Sequence, residues 1–305
     1  MRLKQTVAYR ILFLSTIVSW VAPGSFADDA RPLKIIAFGA HPDDVEFQLG
    51  GCAAKWVEQG HKVKFVSVTN GDIGHWNMAG APLARRRTAE VQEAAKRLGI
   101  EVEVLDIHDG EIMPTLANRK TIARLIRDWQ ADLVFSHRPN DYHPDHRNCG
   151  LLVRDAAFMV TVPFYVPDTP HIEHDTVFMY FYDRFTKPYP FQPDIAVSID
   201  DVLDKKVHAI DALESQVYEG GASGSEEFMR EHHAGDPIAR KVALAEKWSQ
   251  RHQTITDKYR DTVIEWYGED RGQDIKHAEL FEICEYGHQP TKEELRRLFP
   301  FFGNE

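Results

Sequence analysis

Cysteine is scarce in this chain, with only Cys52, Cys149 and Cys284, far apart and without a CxxC pair. That excludes a disulfide-stapled scaffold and a CxxC metal site, and an odd count leaves at least one thiol unpaired in a monomer. Cys52 and Cys149 fall in apolar helical patterns, which predicts buried thiols. After Ala27 no apolar run approaches the ~20 residues a membrane helix needs. Positive charge is also in deficit: the net charge is −11, which argues against nucleic acid or anionic lipid as a partner. The HEXXH helix, the GxSxG nucleophile elbow and the P-loop are absent. Gly39 is not followed by a GxGxxG phosphate loop, so a dinucleotide cofactor is not expected.

The N-terminus reads as a secretory leader over residues 1–27. Arg2, Lys4 and Arg10 precede the apolar stretch Ile11 to Val21, Pro23 and Gly24 break it, and Ser25-Phe26-Ala27 offers small residues for cleavage. An exported protein, periplasmic or extracellular, is the expectation, with a mature chain over 28–305. Loss of three basic residues makes that chain still more acidic, which disfavours a polyanionic substrate unless a local basic pocket overrides it.

From Leu33 to about Arg154, strand-like and helix-like segments alternate. Strands are expected at Lys34–Phe38, Lys62–Thr69, Glu101–Leu105 and Asp132–Ser136. Helices are expected at about Gly50–Gln59 and Leu83–Leu98, and from a cap at Asn118 through Gln130. Such alternation implies right-handed crossovers and a parallel sheet. Further strands are expected at Val177–Phe181 and Ile195–Ile199, with Asp200 capping a helix to about Ser215 and a mostly helical stretch over 226–264. The expected fold class is α/β, a Rossmann-like three-layer sandwich with a mostly parallel sheet. One domain spans 28–305, and residues 163–305 elaborate it and set specificity.

Two segments carry the chemistry: His41-Pro42-Asp43-Asp44-Val45-Glu46 and His143-Pro144-Asp145-His146. Each follows an expected strand and precedes an expected helix. In the strand order 3-2-1-4 the ends of the first and fourth strands are neighbours, at the crevice where open parallel sheets bind ligands. Two imidazoles and a carboxylate are a usual set for a catalytic zinc. A further carboxylate beside them can take a proton from water, and a further histidine can stabilise an oxyanion or protonate a leaving amine. Each proline stiffens the turn that aims these side chains.

These residues resemble the LmbE-like, or PIG-L, family of zinc-dependent N-acetylglucosamine deacetylases. The likeness runs from about Lys34 to Asp155 and rests on AFGAHPDDVEFQLGG, VTNGDIGH, RTAEVQEAAKRLG and SHRPNDYHPDHR. It implies His41, Asp44 and His146 as ligands to Zn2+, Asp43 as general base, and His143 as the group that holds the oxyanion or assists the leaving group. It also implies that Arg87, in an RxxE pattern with Glu90, faces substrate. The activity implied is removal of an acetyl group from an N-acetylated sugar, a small molecule or glycan, with release of acetate. Because His₂Asp tolerates several divalent metals, the metal itself stays open.

Other residues have two readings. Asp72 and His75 are candidates for touching the sugar or for forming the turn after the second strand. Arg138, Asn140 and Asp141 are candidate substrate contacts, while Asp145 is placed to orient a ligand histidine. Glu46 reads as a first-turn acid favoured by the helix dipole. His171 and His174 form an isolated HxxH, and Tyr182, Phe185, Tyr189 and Phe191 either stack on a sugar or pack the elaboration. Alternative functions are a zinc amidase or esterase on a non-sugar acyl group, and a non-catalytic glycan-binding protein.

Overall fold

A computed structural model describes residues 31–232 and 236–302; the leader expected at 1–27 lies outside the described residues. Seven strands among them are β1 (Lys34–Gly39), β2 (Lys62–Ser67), β3 (Glu101–Val104), β4 (Leu133–Ser136), β5 (Val177–Phe181), β6 (Ile195–Ser198) and β7 (Ala278–Ile283). They form one sheet in the order β3-β2-β1-β4-β5-β7-β6. The first five run parallel, and β7 pairs antiparallel with both β5 and β6. The expected 3-2-1-4 order is present, so the ends of β1 and β4 are neighbours.

The register explains why the strands read as apolar runs. Ile35 lies opposite both Val63 and Leu133, and side chains alternate between the faces. Ile35 and Ala37 enter one buried cluster, Ile36 and Phe38 the other. A strand buried on both faces needs no polar alternation. Helices α1 (Asp44–Glu58) and α2 (Ala81–Leu98) cover one face, while α3 (Leu116–Trp129) and α4 (Pro144–Met159) cover the other. The later helices are α5 (Leu203–Ile210), α6 (Glu214–Val217), α7 (Glu226–His232), α8 (Pro237–Lys258), α9 (Arg260–Tyr267), α10 (Glu269–Asp274) and α11 (Lys292–Leu298). Of these, α5, α8, α9 and α11 bury apolar residues in the cluster on the α1 face.

Several local expectations are corrected. Helix α1 begins at Asp44 rather than near Gly50, directly after the turn, so a candidate ligand sits in its first turn. Gly50 and Gly51 lie inside that helix because neighbours approach closely: a Cβ on Gly51 would fall 2.6 Å from Ile199 Cγ2. Thr115, not Asn118, caps α3, accepting from the Asn118 amide. Asp200 does not cap α5, which starts at Leu203; its carboxylate accepts the amides of Lys276 and His277 instead. Strand β7 was not foreseen. It inserts between β5 and β6, and with it residues beyond 163 supply three strands of the same sheet. Cys52, Cys149 and Cys284 are all free and buried.

Candidate metal centre and active site

The carboxyl end of β1 delivers the first segment. Gly39 closes the strand because a Cβ there would lie 2.8 Å from that of Asp44. The chain then turns tightly, with the Asp43 and Asp44 amides both donating to the His41 carbonyl. In return the His41 amide donates to Asp44 Oδ2 at 2.8 Å. The carboxyl end of β4 delivers the second segment. His143 caps α4 through its Nδ1, which accepts from the Asp145 amide, and Pro144 opens the helix. Gly150 lets that helix sit on the β4 loop, where a Cβ would lie 2.4 Å from the His137 carbonyl oxygen.

The two turns bring three donors together. His146 Nε2 is 3.2 Å from His41 Nδ1 and 3.3 Å from Asp44 Oδ1, and His41 Nδ1 is 3.4 Å from Asp44 Oδ2. Edges of that length are those of a tetrahedral site with metal–donor distances of about 2.0–2.1 Å, the two edges to Asp44 ending on its two different oxygens. The donor set and its spacing therefore fit a divalent cation such as zinc. Other metal-capable groupings overlap it: His41, His143 and His146; Asp44, His137 and His146; and His41, Asp109 and Asp145.

Carboxylates stand behind both histidines. Asp141 Oδ1 is 3.0 Å from His146 Nδ1. His41 Nε2 lies 3.0 Å from Asp109 Oδ1 and 3.4 Å from Asp145 Oδ2, although it is aligned for a hydrogen bond with neither. Such partners fix ring orientation and raise ligand basicity. Burial by itself depresses an imidazole, yet Asp109, Asp145 and Asp44 lift His41 well above its ordinary value. Burial is likewise outweighed at His146, which Asp44 and Asp141 push up to about 10. Burial opposes ionisation of Asp44, but His146 and His137 hold its carboxyl well below the usual range. This cluster of carboxylates favours positive charge among them, carried by protonated rings or by a bound cation.

Asp43 sits beside this triad without joining it. Its Oδ1 is 3.2 Å from Arg87 Nη2. Burial pushes its carboxyl up, the Arg87 charge works against that, and Asp44 adds to the rise. His143 is half-buried, with its ring centre 4.6 Å from that of His41. Because Nδ1 accepts a backbone N–H, the neutral ring carries its proton on Nε2. Burial and the neighbouring His41 and His146 lower its pKa. Both Asp43 and His143 line a cavity of about 340 Å³ with the candidate ligands and Gly220–Ser223.

The other expected contacts are placed as follows. Arg87 is 2% exposed and serves Asp43 and the carbonyls of Gly71 and Pro42. Asp72 is buried: it accepts the Asp109 amide and lies 2.7 Å from His108 Nδ1, so it shapes the loop carrying Asp109. Arg138 is buried on Asp183 and the Tyr189 carbonyl. Asn140 is partly exposed, and Asp141 backs the candidate ligand His146. Asp145 accepts the amides of Gly110 and Ile112 besides approaching His41. His75 bonds Glu219, and His174 meets the Ala131 carbonyl, away from the centre. Glu46 is buried, and burial raises its pKa to about 8. Tyr182 and Phe185 line a second cavity, while Phe191 packs in the core.

Sequence reasoning missed Asp109 and His137. His137 Nε2 lies 3.2 Å from Asp44 Oδ2 and accepts the Ala40 amide, and its ring stacks on His146 at 4.1 Å. Both residues follow strand ends on the crevice side, the signal that picked out the two main segments.

Comparison with known proteins places the chain among relatives. Residues 36–157 match the family model described as PIG-L, GlcNAc-PI de-N-acetylase. The diacetylchitobiose deacetylase of Thermococcus kodakarensis is 31% identical over 195 residues, covering 60% of this chain and 70% of that protein. The 4-oxalmesaconate hydratase of Pseudomonas putida is 29% identical over 192 residues, or 59% and 73% of the two chains. Among solved structures, the N,N'-diacetylchitobiose deacetylase from Pyrococcus horikoshii superposes with a TM-score of 0.62 at 23% identity, over 82% of this chain and 83% of that one. With the HPDD and HPDH turns meeting at one crevice, the chain belongs to the PIG-L family.

Proposed function

We propose that this protein is a metal-dependent hydrolase that removes the acetyl group from an N-acetylated sugar, with zinc as the cation. The observation that carries the reading is the 3.2–3.4 Å triangle of His41, Asp44 and His146 with Asp43 and His143 on the same cavity. The deacetylase activity of the Thermococcus relative supports it. Once bound, the cation supplies Lewis acidity toward the acyl carbonyl and acidifies the attacking water. Asp43 takes the proton from that water, held in place by Arg87. His143 presents its Nε2 proton to the developing oxyanion and then to the departing amine, because Nδ1 is already engaged. Asp141, Asp109 and Asp145 keep the ligand rings in position. Acetate release from N-acetylated sugars, with chelator and with zinc restored, is the test. Release that chelator stops and zinc restores is the expected result; none from metal-loaded protein overturns the reading.

A second reading comes from the hydratase relative. The same base beside a cation serves addition of water to an activated carbon–carbon double bond. Loss of a conjugated acid's ultraviolet absorbance without acetate release selects that chemistry. A protein that binds glycan without turnover shows neither signal. Export rests on the leader at 1–27; retention of the full-length protein in the cytosol of its host refutes it.

A further inference from the structure

Asp44, Tyr142 and His146 border two cavities at once. On the side away from Asp43 and His143 lies the larger one, about 600 Å³. Its volume is in the range of small-molecule sites. Residues beyond 163 build its outer wall: Tyr182, Arg184 and Phe185 follow β5, and Lys247 and Arg251 project from α8.

The charges in this cavity do not balance locally. Each of its carboxylates is engaged: Asp44 by His137 and His146, Asp141 by His146, and Asp183 by Arg138. Arg138 is thereby paired as well. Arg184, Lys247 and Arg251 are exposed to the cavity, and among the described residues none has a carboxylate within ion-pair distance. Lys247 and Arg251 stand four residues apart on one face of α8, where like charges oppose each other. Arg251 lies over the Trp248 ring at 5.3 Å, and the Arg184 charge adds to the effect of burial in depressing its pKa. Three uncompensated cations from two separate elements thus converge beside the metal centre of a protein whose net charge is −11. An anionic ligand group offsets their repulsion; a neutral one leaves it in place.

We propose that this cavity is a subsite for an anionic group on the substrate, held by Arg184, Lys247 and Arg251, so that the preferred substrate is an N-acetylated sugar bearing a carboxylate, sulfate or phosphate. The word substrate rests on the deacetylase reading; the anion site does not. Tyr182 and Phe185 supply apolar walls for the sugar between the two ends.

The test compares kcat/KM of the metal-loaded full chain on N-acetylglucosamine, its 6-phosphate, its 6-sulfate and N-acetylmuramic acid, at low and high salt. At least one acidic sugar is expected to exceed the neutral one by about tenfold, with the advantage shrinking in salt. Which acid leads distinguishes carboxylate, sulfate and phosphate. In Arg184→Gln, Lys247→Gln, Arg251→Gln the acid-to-neutral ratio falls toward one, while Arg251→Lys keeps most of it. A ratio at or below one in the unaltered protein, or one that the triple variant leaves unchanged, overturns the proposal. Calorimetric binding of the same four sugars to the Asp43→Asn chain separates the two readings. If no acetate appears from any sugar but an acid binds tighter than the neutral sugar and loses that advantage in the triple variant, the hydrolase reading fails and the anion site stands. Equal binding of acids and neutral sugar removes the anion site whatever the enzyme does.

Discussion

Arg87 and Asp43 form a pair in which the buried cation holds the carboxylate beside the donor triangle: Arg87 Nη2 is 3.2 Å from Asp43 Oδ1, and the guanidinium is wedged against Gly71 and Gly74. A Cβ on Gly74 would lie 2.4 Å from Arg87 Nη1 and 3.0 Å from Asp109 Oδ2. Gly74→Ala is therefore expected to push the guanidinium off Asp43 and cut kcat by about 10–100-fold, since small misplacements in a site are costly. Steady-state kinetics with a melting curve checks this; a variant with normal kcat denies Arg87 its positioning role.

Asp43→Asn removes the base but not a ligand. Turnover is expected to fall by about 10²–10⁴-fold with metal content unchanged. Metal analysis of the purified variant beside acetate release checks both halves, and loss of metal assigns Asp43 to the ligand set instead.

His146→Ala breaks the donor triangle, and the protein is expected to come off purification without stoichiometric metal. Asp141→Asn leaves all three donors but unties the His146 ring. A loss of about 10–100-fold in metal affinity is expected, measured by competition with a chromogenic chelator. Full occupancy in the His146 variant refutes its assignment.

Lys206 and Glu279 are a fully buried ion pair at 2.7 Å, and Glu279 also accepts the Gly51 and Cys52 amides of α1. Lys206→Met strands the carboxylate and is expected to cost about 3–5 kcal/mol. Denaturant unfolding checks this. A loss below about 1 kcal/mol would show that Glu279 is satisfied by the amides alone.

His252 is buried against the Ala278 carbonyl, and burial with the Lys206 charge holds its pKa well below the ordinary value. Above the unfolded value of about 6.5 the ring is neutral in both states and its contribution is intact. As pH falls below that value the unfolded chain takes up a proton that the folded chain refuses, so stability declines toward acid. His252→Asn is expected to flatten the slope of unfolding free energy between pH about 6.5 and 5. An unchanged slope assigns that pH dependence to other groups.

The local patterns carried the first four strands and the two turns, because each strand is short, rich in β-branched or apolar residues and set off by breakers, whereas the 3-2-1-4 order was taken from the common topology of such sheets. The same patterns put Asp44 and His146 at strand ends that the parallel order makes neighbours. Two things were not legible. Strand β7, AELFEI, alternates like many exposed segments, and only pairing with β5 and β6 makes it a central strand. Asp200 reads as a helix cap but takes amides 76 and 77 residues away, since a local carboxylate goes wherever unpaired N–H groups are presented.

The roles around the metal centre divide in the same way. Sequence by itself determined the residue types and the two turns, since glycine, proline and short-range amide bonds act over a few residues. Tertiary structure alone decided that Asp109 and Asp141 stand behind His41 and His146 and that Arg87 turns toward Asp43. It also gathered Arg184, Lys247 and Arg251 on one cavity. Those relations join elements tens of residues apart, and a charge is assigned to a partner only once packing has set which carboxylates and cations share a buried space.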